Sequence, residues 1–351
     1  METQIIRVHP DNFEVQEIRK GSMILSSGGL VAFPTETVYG LGANAFEPKA
    51  VMQIFKAKGR PADNPLIVHI ARCEDINELV RSLPKEAEIL MEQFWPGPLT
   101  LILPKKETIP DVVSAGLDTV GIRMPDHSVA LTLIAEAGVP VAAPSANISG
   151  RPSPTNGEHV IRDMMGRVDV IIDSGSTGIG VESTVLDLTS SPPLILRPGG
   201  ITLESLRDVL GDIKVYDGGD GDFAPKSPGM KYKHYAPEAK VIVVEGNEEN
   251  ILIEIKAMAS RFAAQGKKVG IMATSENRSF YGDNYLVKVV GDRKNLSTIA
   301  ANLFSLLRSF DDMGVDIILA EGVAPKDLGF AIMNRLKRAA GGNVIKAGLG
   351  C

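Results

Sequence analysis

The chain is poor in the residues that cross-link or metal-stabilise a fold. Of its 351 residues two are cysteines, Cys73 and Cys351, and five are histidines. Cysteines so far apart make no disulfide framework, and no histidine or cysteine falls at zinc-ligand spacing. Also missing is any uninterrupted apolar run near the ~20 residues that span a bilayer. The opening residues Met1-Glu-Thr-Gln-Ile-Ile-Arg lack the basic and apolar regions of a signal peptide. A cytoplasmic protein with no membrane partner and no protein-borne metal site is the expectation. An excess of positive charge is absent too. Residues 1–237 hold 22 Lys and Arg against 30 Asp and Glu, and residues 238–351 hold 15 against 13. Neither part carries the basic surplus of a protein that grips nucleic acid by charge, so direct stable nucleic-acid binding is not expected. No Gly-x-x-x-x-Gly-Lys-[Ser/Thr] occurs, which excludes a P-loop enzyme. No Ser-His-Asp or Cys-His constellation is visible.

What is present is alternation. Strand-like runs fall at Leu30–Phe33, Pro65–Ile70, Leu99–Leu103, Thr119–Met124, Val139–Ala143, Val168–Asp173, Ser183–Leu188 and Leu194–Arg197. Helical apolar spacing falls at Phe13–Leu25, Ala50–Ala57, Pro84–Phe94, Ser128–Glu136, Asn156–Met165 and Leu203–Leu210. This predicts an α/β layer, and strands that follow one another without a helix make its sheet mixed. A Gly-, Asp- and Pro-rich stretch beginning at Asp217 breaks the pattern and reads as a linker. Strand–helix alternation resumes from Lys240 and predicts a small, parallel, Rossmann-like sheet. Its first strand is followed by no Gly-x-Gly-x-x-Gly, which argues against a dinucleotide site there. The expected domains are 1–212 and 238–351, joined by a linker over 213–237.

The residues able to do chemistry cluster at predicted strand ends. Phe33-Pro-Thr-Glu-Thr-Val-Tyr-Gly-Leu-Gly places two threonines and a glutamate after a strand, with Gly40 and Gly42 open to a close backbone approach. An ordinary turn with threonine caps explains the same residues equally well. Lys56, Lys58 and Arg60 flank Gly59 at a helix end. Lysines there complement the helix dipole without further purpose, but Arg60, held between Gly59 and Pro61, suits phosphate oxygens. His69 in an apolar strand reads first as a core residue. Thr119 and Arg123, at even spacing, share one strand face. Pro144-Ser-Ala-Asn and Glu182-Ser-Thr-Val add hydroxyls and amides. Hydrogen-bonding side chains and a few arginines, without a nucleophile–base pair, describe a site that positions an anionic ligand.

Taken together, Pro34-Thr-Glu-Thr-Val-Tyr-Gly-Leu, Lys56-Ala-Lys-Gly-Arg-Pro, Asn64-Pro-Leu-Ile-Val-His, Phe94-Trp-Pro-Gly-Pro-Leu-Thr, Val120-Gly-Ile-Arg-Met-Pro, Pro144-Ser-Ala-Asn and Glu182-Ser-Thr-Val closely resemble the YrdC-like family of threonylcarbamoyl-AMP synthases. Ser227-Pro-Gly-Met-Lys-Tyr-Lys-His-Tyr-Ala-Pro resembles the linker of its two-domain branch. The resemblance implies a YrdC-like twisted mixed sheet followed by the Rossmann-like domain. It implies synthesis of threonylcarbamoyl-AMP from L-threonine, bicarbonate and ATP, with Mg²⁺ over the triphosphate. The product would pass to a downstream tRNA-modifying transferase complex. On the same resemblance, Thr37, His69, Arg123, Ala143 and Ser183 contact threonine. Lys58, Arg60, Asn64, Thr119, Ser145, Ser153 and Arg197 surround the nucleotide, and His234 or Tyr235 closes over it. Thr37, Arg60, Arg123, Ser145 and Ser183 should then converge. A competing reading is an RNA-binding or regulatory module on the same scaffold without synthase activity. Carbamoyl transfer to protein partners, as in fused hydrogenase-maturation relatives, needs cysteines that this chain lacks.

The linker motif reads as a lid. Deleting residues 227–237 is expected to reduce product formation several-fold while both domains stay folded. Product assay alongside circular dichroism checks it, and normal turnover in the deletion would reject the lid.

Overall fold

The structure is a computed structural model, and it describes residues 2–216 and 235–348. They form two compact units, one from 2–149 with 153–216 and one from 150–152 with 235–348. Residues 217–234, most of the expected linker, lie outside the described residues. No helix of the described residues is long and apolar enough to cross a membrane.

The first unit is a mixed sheet. Its strands are β1 (Gln4–Arg7), β2 (Val31–Phe33), β3 (Gly40–Asn44), β4 (Ile67–His69), β5 (Leu99–Pro104), β6 (Thr119–Arg123), β7 (Val141–Ala142), β8 (Val170–Asp173), β9 (Thr184–Asp187), β10 (Leu194–Arg197) and β11 (Lys214–Val215). They lie in the order β1-β8-β2-β3-β7-β4-β6-β5-β9-β10-β11. Its helices are α1 (Val15–Ser26), α2 (Pro48–Lys58), α3 (Lys85–Phe94), α4 (Asp111–Ser114), α5 (Ser128–Ala137), α6 (Gly157–Met164) and α7 (Leu203–Leu210). Local signals set several boundaries. Pro48 opens α2 and left-handed Gly59 closes it. The side chains of Asn156 and Thr202 accept from the backbone N–H groups of His159 and Ser205 at the starts of α6 and α7.

Apolar residues fill both sides of this sheet. Ile18 and Leu25 of α1 and Leu133 and Ile134 of α5 pack with Val31, Phe33, Val141 and Ile172. On the other side Ile54, Leu90, Val160 and Leu206 join Val68, Leu101, Ile122 and Leu186. A third, small cluster holds Ile67, Ile102, Val185 and Leu196. It lies on the face of β4 and β6 that also carries His69, Thr119, Gly121 and Arg123, because residues two apart on a strand share a side.

The second unit is parallel throughout. Strands β12 (Lys240–Glu245), β13 (Val269–Thr274), β14 (Leu286–Gly291), β15 (Ile317–Glu321) and β16 (Val344–Lys346) lie in the order β14-β13-β15-β12-β16. Every pairing is parallel. Helix α8 (Glu248–Ala264) packs on Ile242, Val244, Ile271 and Ala273. Gly270 points the other way, toward Phe310 of α9 (Leu296–Asp312), and α10 (Leu328–Ala339) follows β15. A parallel sheet needs such helices, since each strand must cross over to its neighbour.

Two sequence expectations change. Gly40 and Gly42 belong to β3, not to a ligand-facing loop. A Cβ at Gly42 would come within 2.7 Å of Val141 and 2.8 Å of Phe33, so these glycines admit the Phe33 ring. Lys214–Val215, inside the stretch read as linker, pairs in parallel with Leu194–Ile195 at the sheet edge.

Gly199, two residues after β10, packs its backbone against the start of β9. A Cβ there would lie 2.3 Å from Glu182 O, Ser183 C and Thr184 N, all backbone atoms with no room to yield. Gly199→Ala is expected to destabilise the protein by about 1–3 kcal/mol or more. Thermal unfolding checks this as a lowered midpoint.

Candidate functional site

Three segments of the first unit are tied together by backbone hydrogen bonds. Leu41 N–H donates to Pro144 O at 2.8 Å and Ala146 N–H to Tyr39 O at 2.8 Å, laying the Ser145 loop along β3. Gly180 N–H donates to Thr37 O at 3.1 Å and Ile179 N–H to Glu36 O at 2.8 Å, which brings the stretch leading to Ser183 against Thr37. The Thr37 hydroxyl is fully buried and lies 2.9 Å from that of Thr35.

The C-terminal ends of β4 and β6 carry the densest polar group. Parallel register sets His69 beside Arg123. Both are buried, at 4% exposure each. Arg123 Nε donates to Gly97 O at 3.2 Å, and Arg123 Nη2 lies 2.6 Å from Glu36 Oε2. Burial first, and the Arg123 charge second, push the His69 imidazole down to about 3. It is therefore neutral in neutral water. Its ring meets Phe33 edge-on at 6.1 Å and its Nδ1 lies 3.3 Å from Ile67 O. Ala143 N–H donates to Ile67 O at 2.9 Å, bringing the end of β7 alongside.

Ser183, fully buried just before β9, has its hydroxyl 2.8 Å from Thr100 Oγ1. Arg197 Nη2 donates to the same hydroxyl at 3.0 Å, and Arg197 Nε donates to Ser183 O at 3.1 Å. Because β5 and β6 are antiparallel, Thr100 sits near the Arg123 end of β6. Thr119 occupies the opposite end of that strand, about 13 Å away at the usual rise per residue. Gly121 lies between them. A Cβ there would come within 3.1 Å of Ile102 and 3.2 Å of Thr100.

Asn64 precedes β4 and is fully buried, and neither its Oδ1 nor its Nδ2 has a hydrogen-bond partner among the described residues. Such an amide costs about 1–3 kcal/mol until a ligand or water completes it. Lys58, 2% exposed, has its Nζ directed at the carbonyl oxygens of Ser145 and Asn147, the latter at 2.7 Å. These contacts tie the end of α2 to the Ser145 loop. The Ser145 hydroxyl donates to Asn147 Oδ1 at 2.6 Å. Arg60, two residues on, stacks its guanidinium over Phe55 at 5.1 Å. The Ser153 hydroxyl donates to Glu182 Oε1 at 2.6 Å, next to Ser183.

The geometry thus links Thr37, His69, Arg123, Ala143, Ser183 and Arg197 through direct contacts or shared neighbours. Lys58 and Ser145 form a second contact group, with Arg60 beside it, while Thr119 stands apart along β6. Tyr235 belongs to the second unit. Its ring lies 5.1 Å from that of Phe304 and 5.4 Å from the Arg335 guanidinium. His234 lies outside the described residues. Sequence reasoning gave no role to Glu36 or Thr100. Glu36 stood in plain view between two threonines, and Thr100 gave no local signal because its partner Ser183 is 83 residues away.

The family described as "Telomere recombination" matches residues 23–199, and that described as "Threonylcarbamoyl-AMP synthase, C-terminal domain" matches residues 201–341. A threonylcarbamoyl-AMP synthase of Pyrococcus abyssi is 52% identical over 346 residues, covering 98% of this chain and 99% of that one. One of Bacillus subtilis is 51% identical, with 94% of each chain covered. The crystal structure of P. abyssi Sua5 complexed with L-threonine superposes with a TM-score of 0.93 at 50% identity, covering 99% of this chain and 100% of that one. With both family regions present and such relatives matched over nearly their whole length, the chain belongs to the two-domain branch of the YrdC-like threonylcarbamoyl-AMP synthase family.

Proposed function

We propose that this protein is an L-threonylcarbamoyladenylate synthase, a nucleotidyltransferase that joins L-threonine, bicarbonate and the AMP moiety of ATP and releases pyrophosphate. The observation that carries the reading is the buried group at the ends of β4 and β6, where neutral His69, Arg123, Ser183 and Arg197 meet. It offers guanidinium charge and hydroxyls with no nucleophile–base pair, which suits an anionic carbamate that attacks an anionic triphosphate. A relative half identical to this chain has been crystallised with L-threonine, which supports the same substrate here.

In this reading the threonine nitrogen bonds to the bicarbonate carbon, and water leaves. The resulting carbamate oxygen attacks the α-phosphorus of ATP, the bond to the bridging oxygen breaks, and pyrophosphate departs. No covalent enzyme intermediate is needed, because the nucleophile is already an anion. Arg123 receives the amino-acid carboxylate in a charge-assisted contact. Thr37, His69, Ala143 and Ser183 surround the rest of the amino acid. Lys58, Arg60, Asn64, Thr119, Ser145, Ser153 and Arg197 serve the nucleotide, and Lys58 also fixes the loop that bears Ser145. Burial around the site keeps water from a labile product.

Mg²⁺ is assigned to the triphosphate oxygens, where it would offset their charge. Among the described residues no three His, Cys, Asp or Glu side chains are grouped to hold a metal ion. The product serves a transferase complex that modifies an adenosine of tRNA, and the protein works in the cytoplasm.

Pyrophosphate release from ATP is expected to require both threonine and bicarbonate, with omission of either lowering the rate at least about tenfold, as for a step missing a reactant. Release that ignores both would refute the synthase reading. Asn64→Leu gives a second expectation. Removing a buried, unpartnered amide should leave the unfolding midpoint unchanged or higher, while the KM for ATP rises about tenfold. Thermal unfolding and steady-state kinetics on one preparation check both.

A further inference from the structure

Glu36 has an environment that the scheme above does not use. It lies between Thr35 and Thr37, both buried, and its backbone carbonyl accepts from Ile179 N–H at 2.8 Å. Its side chain is only 11% exposed. Neither carboxylate oxygen has an aligned hydrogen-bond donor among the described residues. Among the described residues its ion-pair partner is Arg123, whose Nη2 stands 2.6 Å from Oε2, and the His127 imidazole, held below its ordinary range by burial, also feels the Glu36 charge. An ionised carboxylate can accept about four hydrogen bonds, and buried ones are normally supplied with donors. Here charge is balanced but hydrogen bonding is not.

We propose that Glu36 binds the α-ammonium group of the amino-acid substrate, so that Glu36 and Arg123 together form the complement of an amino-acid zwitterion. This rests on the reading that threonine is a substrate. An ammonium group brings three N–H donors and one positive charge, which supplies what Glu36 lacks. A second anion against Glu36 would be repelled, so the amino acid's carboxylate must take the Arg123 side of the pair. Arg123 is suited to that, because its Nε is already fixed on Gly97 O and orients the guanidinium. The two charges of an α-amino acid are separated by one carbon atom, and so a single adjacent carboxylate–guanidinium pair can receive both. The nitrogen held by Glu36 is the atom that bonds to the bicarbonate carbon: one ammonium proton passes to the Glu36 carboxylate and on to solvent, which frees the lone pair, and a second leaves with the bicarbonate hydroxyl as water. The pair thereby selects an α-amino acid over its des-amino analogue, since the latter would leave the buried carboxylate without donors.

The test is a calorimetric titration of the full chain with L-threonine, with its des-amino analogue 3-hydroxybutyrate and with ATP. The unaltered protein is expected to bind threonine at least about tenfold more tightly than the analogue, the usual scale for a hydrogen bond to a charged group. Binding of the two within twofold would overturn the proposal without any variant. In Glu36→Gln, threonine affinity is expected to fall at least about tenfold while ATP affinity stays within twofold. Threonine affinity within twofold of the unaltered protein overturns the assignment, as does an equal loss for threonine and ATP, which would mark Glu36 as a structural residue. Absence of threonine binding in the unaltered protein would instead remove the functional reading on which the assignment rests.

Discussion

The parallel register of β4 on β6 is the constraint on which the site depends. It sets His69 opposite Arg123 in a buried layer where two basic groups would ordinarily repel. The arrangement holds because only one of them is charged. Burial strips His69 of its proton, and the Arg123 charge lowers its affinity further. Arg123, a guanidinium, has Glu36 beside it and donates to Gly97 O. A slip of β4 by one residue against β6 would turn His69 to the opposite face, among the apolar residues packed there, and part it from Arg123. The small cluster of Ile67, Ile102, Val185 and Leu196 packs on the same face, and Gly121 of β6 leaves the room in which Ile67 and Ile102 approach across that strand.

The two units treat a buried carboxylate in opposite ways. In the second unit Glu321 ends β15 at 2% exposure. Tyr281 OH donates to its Oε1 at 2.7 Å, while Thr274 Oγ1, Asn277 Nδ2 and Arg293 Nη2 donate to its Oε2 at 2.8, 3.0 and 2.7 Å. Burial and the neighbouring Glu321 charge raise the Tyr281 phenol, which keeps it a donor. That network is complete and stiffens the strand ends. In the first unit the hydrogen-bonding capacity of Glu36 and Asn64 is left open. A complete network stabilises the folded chain by itself, whereas an incomplete one waits for a ligand.

The mixed sheet explains how short segments from distant parts of the chain reach one place. In an all-parallel sheet every strand points its C-terminal end the same way, as in the second unit. In the first unit β5 runs against β6 and β10 against β9. The beginning of β5, the end of β6, the beginning of β9 and the end of β10 therefore fall together. Thr100, Arg123, Ser183 and Arg197 stand at those four ends. The loops that follow β2 and β7 join them through the hydrogen bonds of Gly180, Leu41 and Ala146.

The amino-acid sequence by itself determined the local order of the chain. Leu194–Arg197 and Leu203–Leu210 form the strand and helix that their patterns predict, and the strand–helix alternation read from Lys240 onward appears as the parallel second unit, because apolar periodicity and capping residues act within a few residues. The motifs were also legible, since they are contiguous. Strands β1, β3, β11 and β16 were not read. In β3 the run Gly-Leu-Gly-Ala-Asn has little intrinsic strand preference, and it is a strand because β2 and β7 flank it. Only the tertiary structure decided that Gly40 and Gly42 make room for Phe33, that Lys58 holds a loop, and that Glu36 meets Arg123. Each depends on atoms brought together from distant positions. Burial then sets their charge and hydrogen-bonding needs, and burial is a property of the folded neighbourhood and not of any short stretch of sequence.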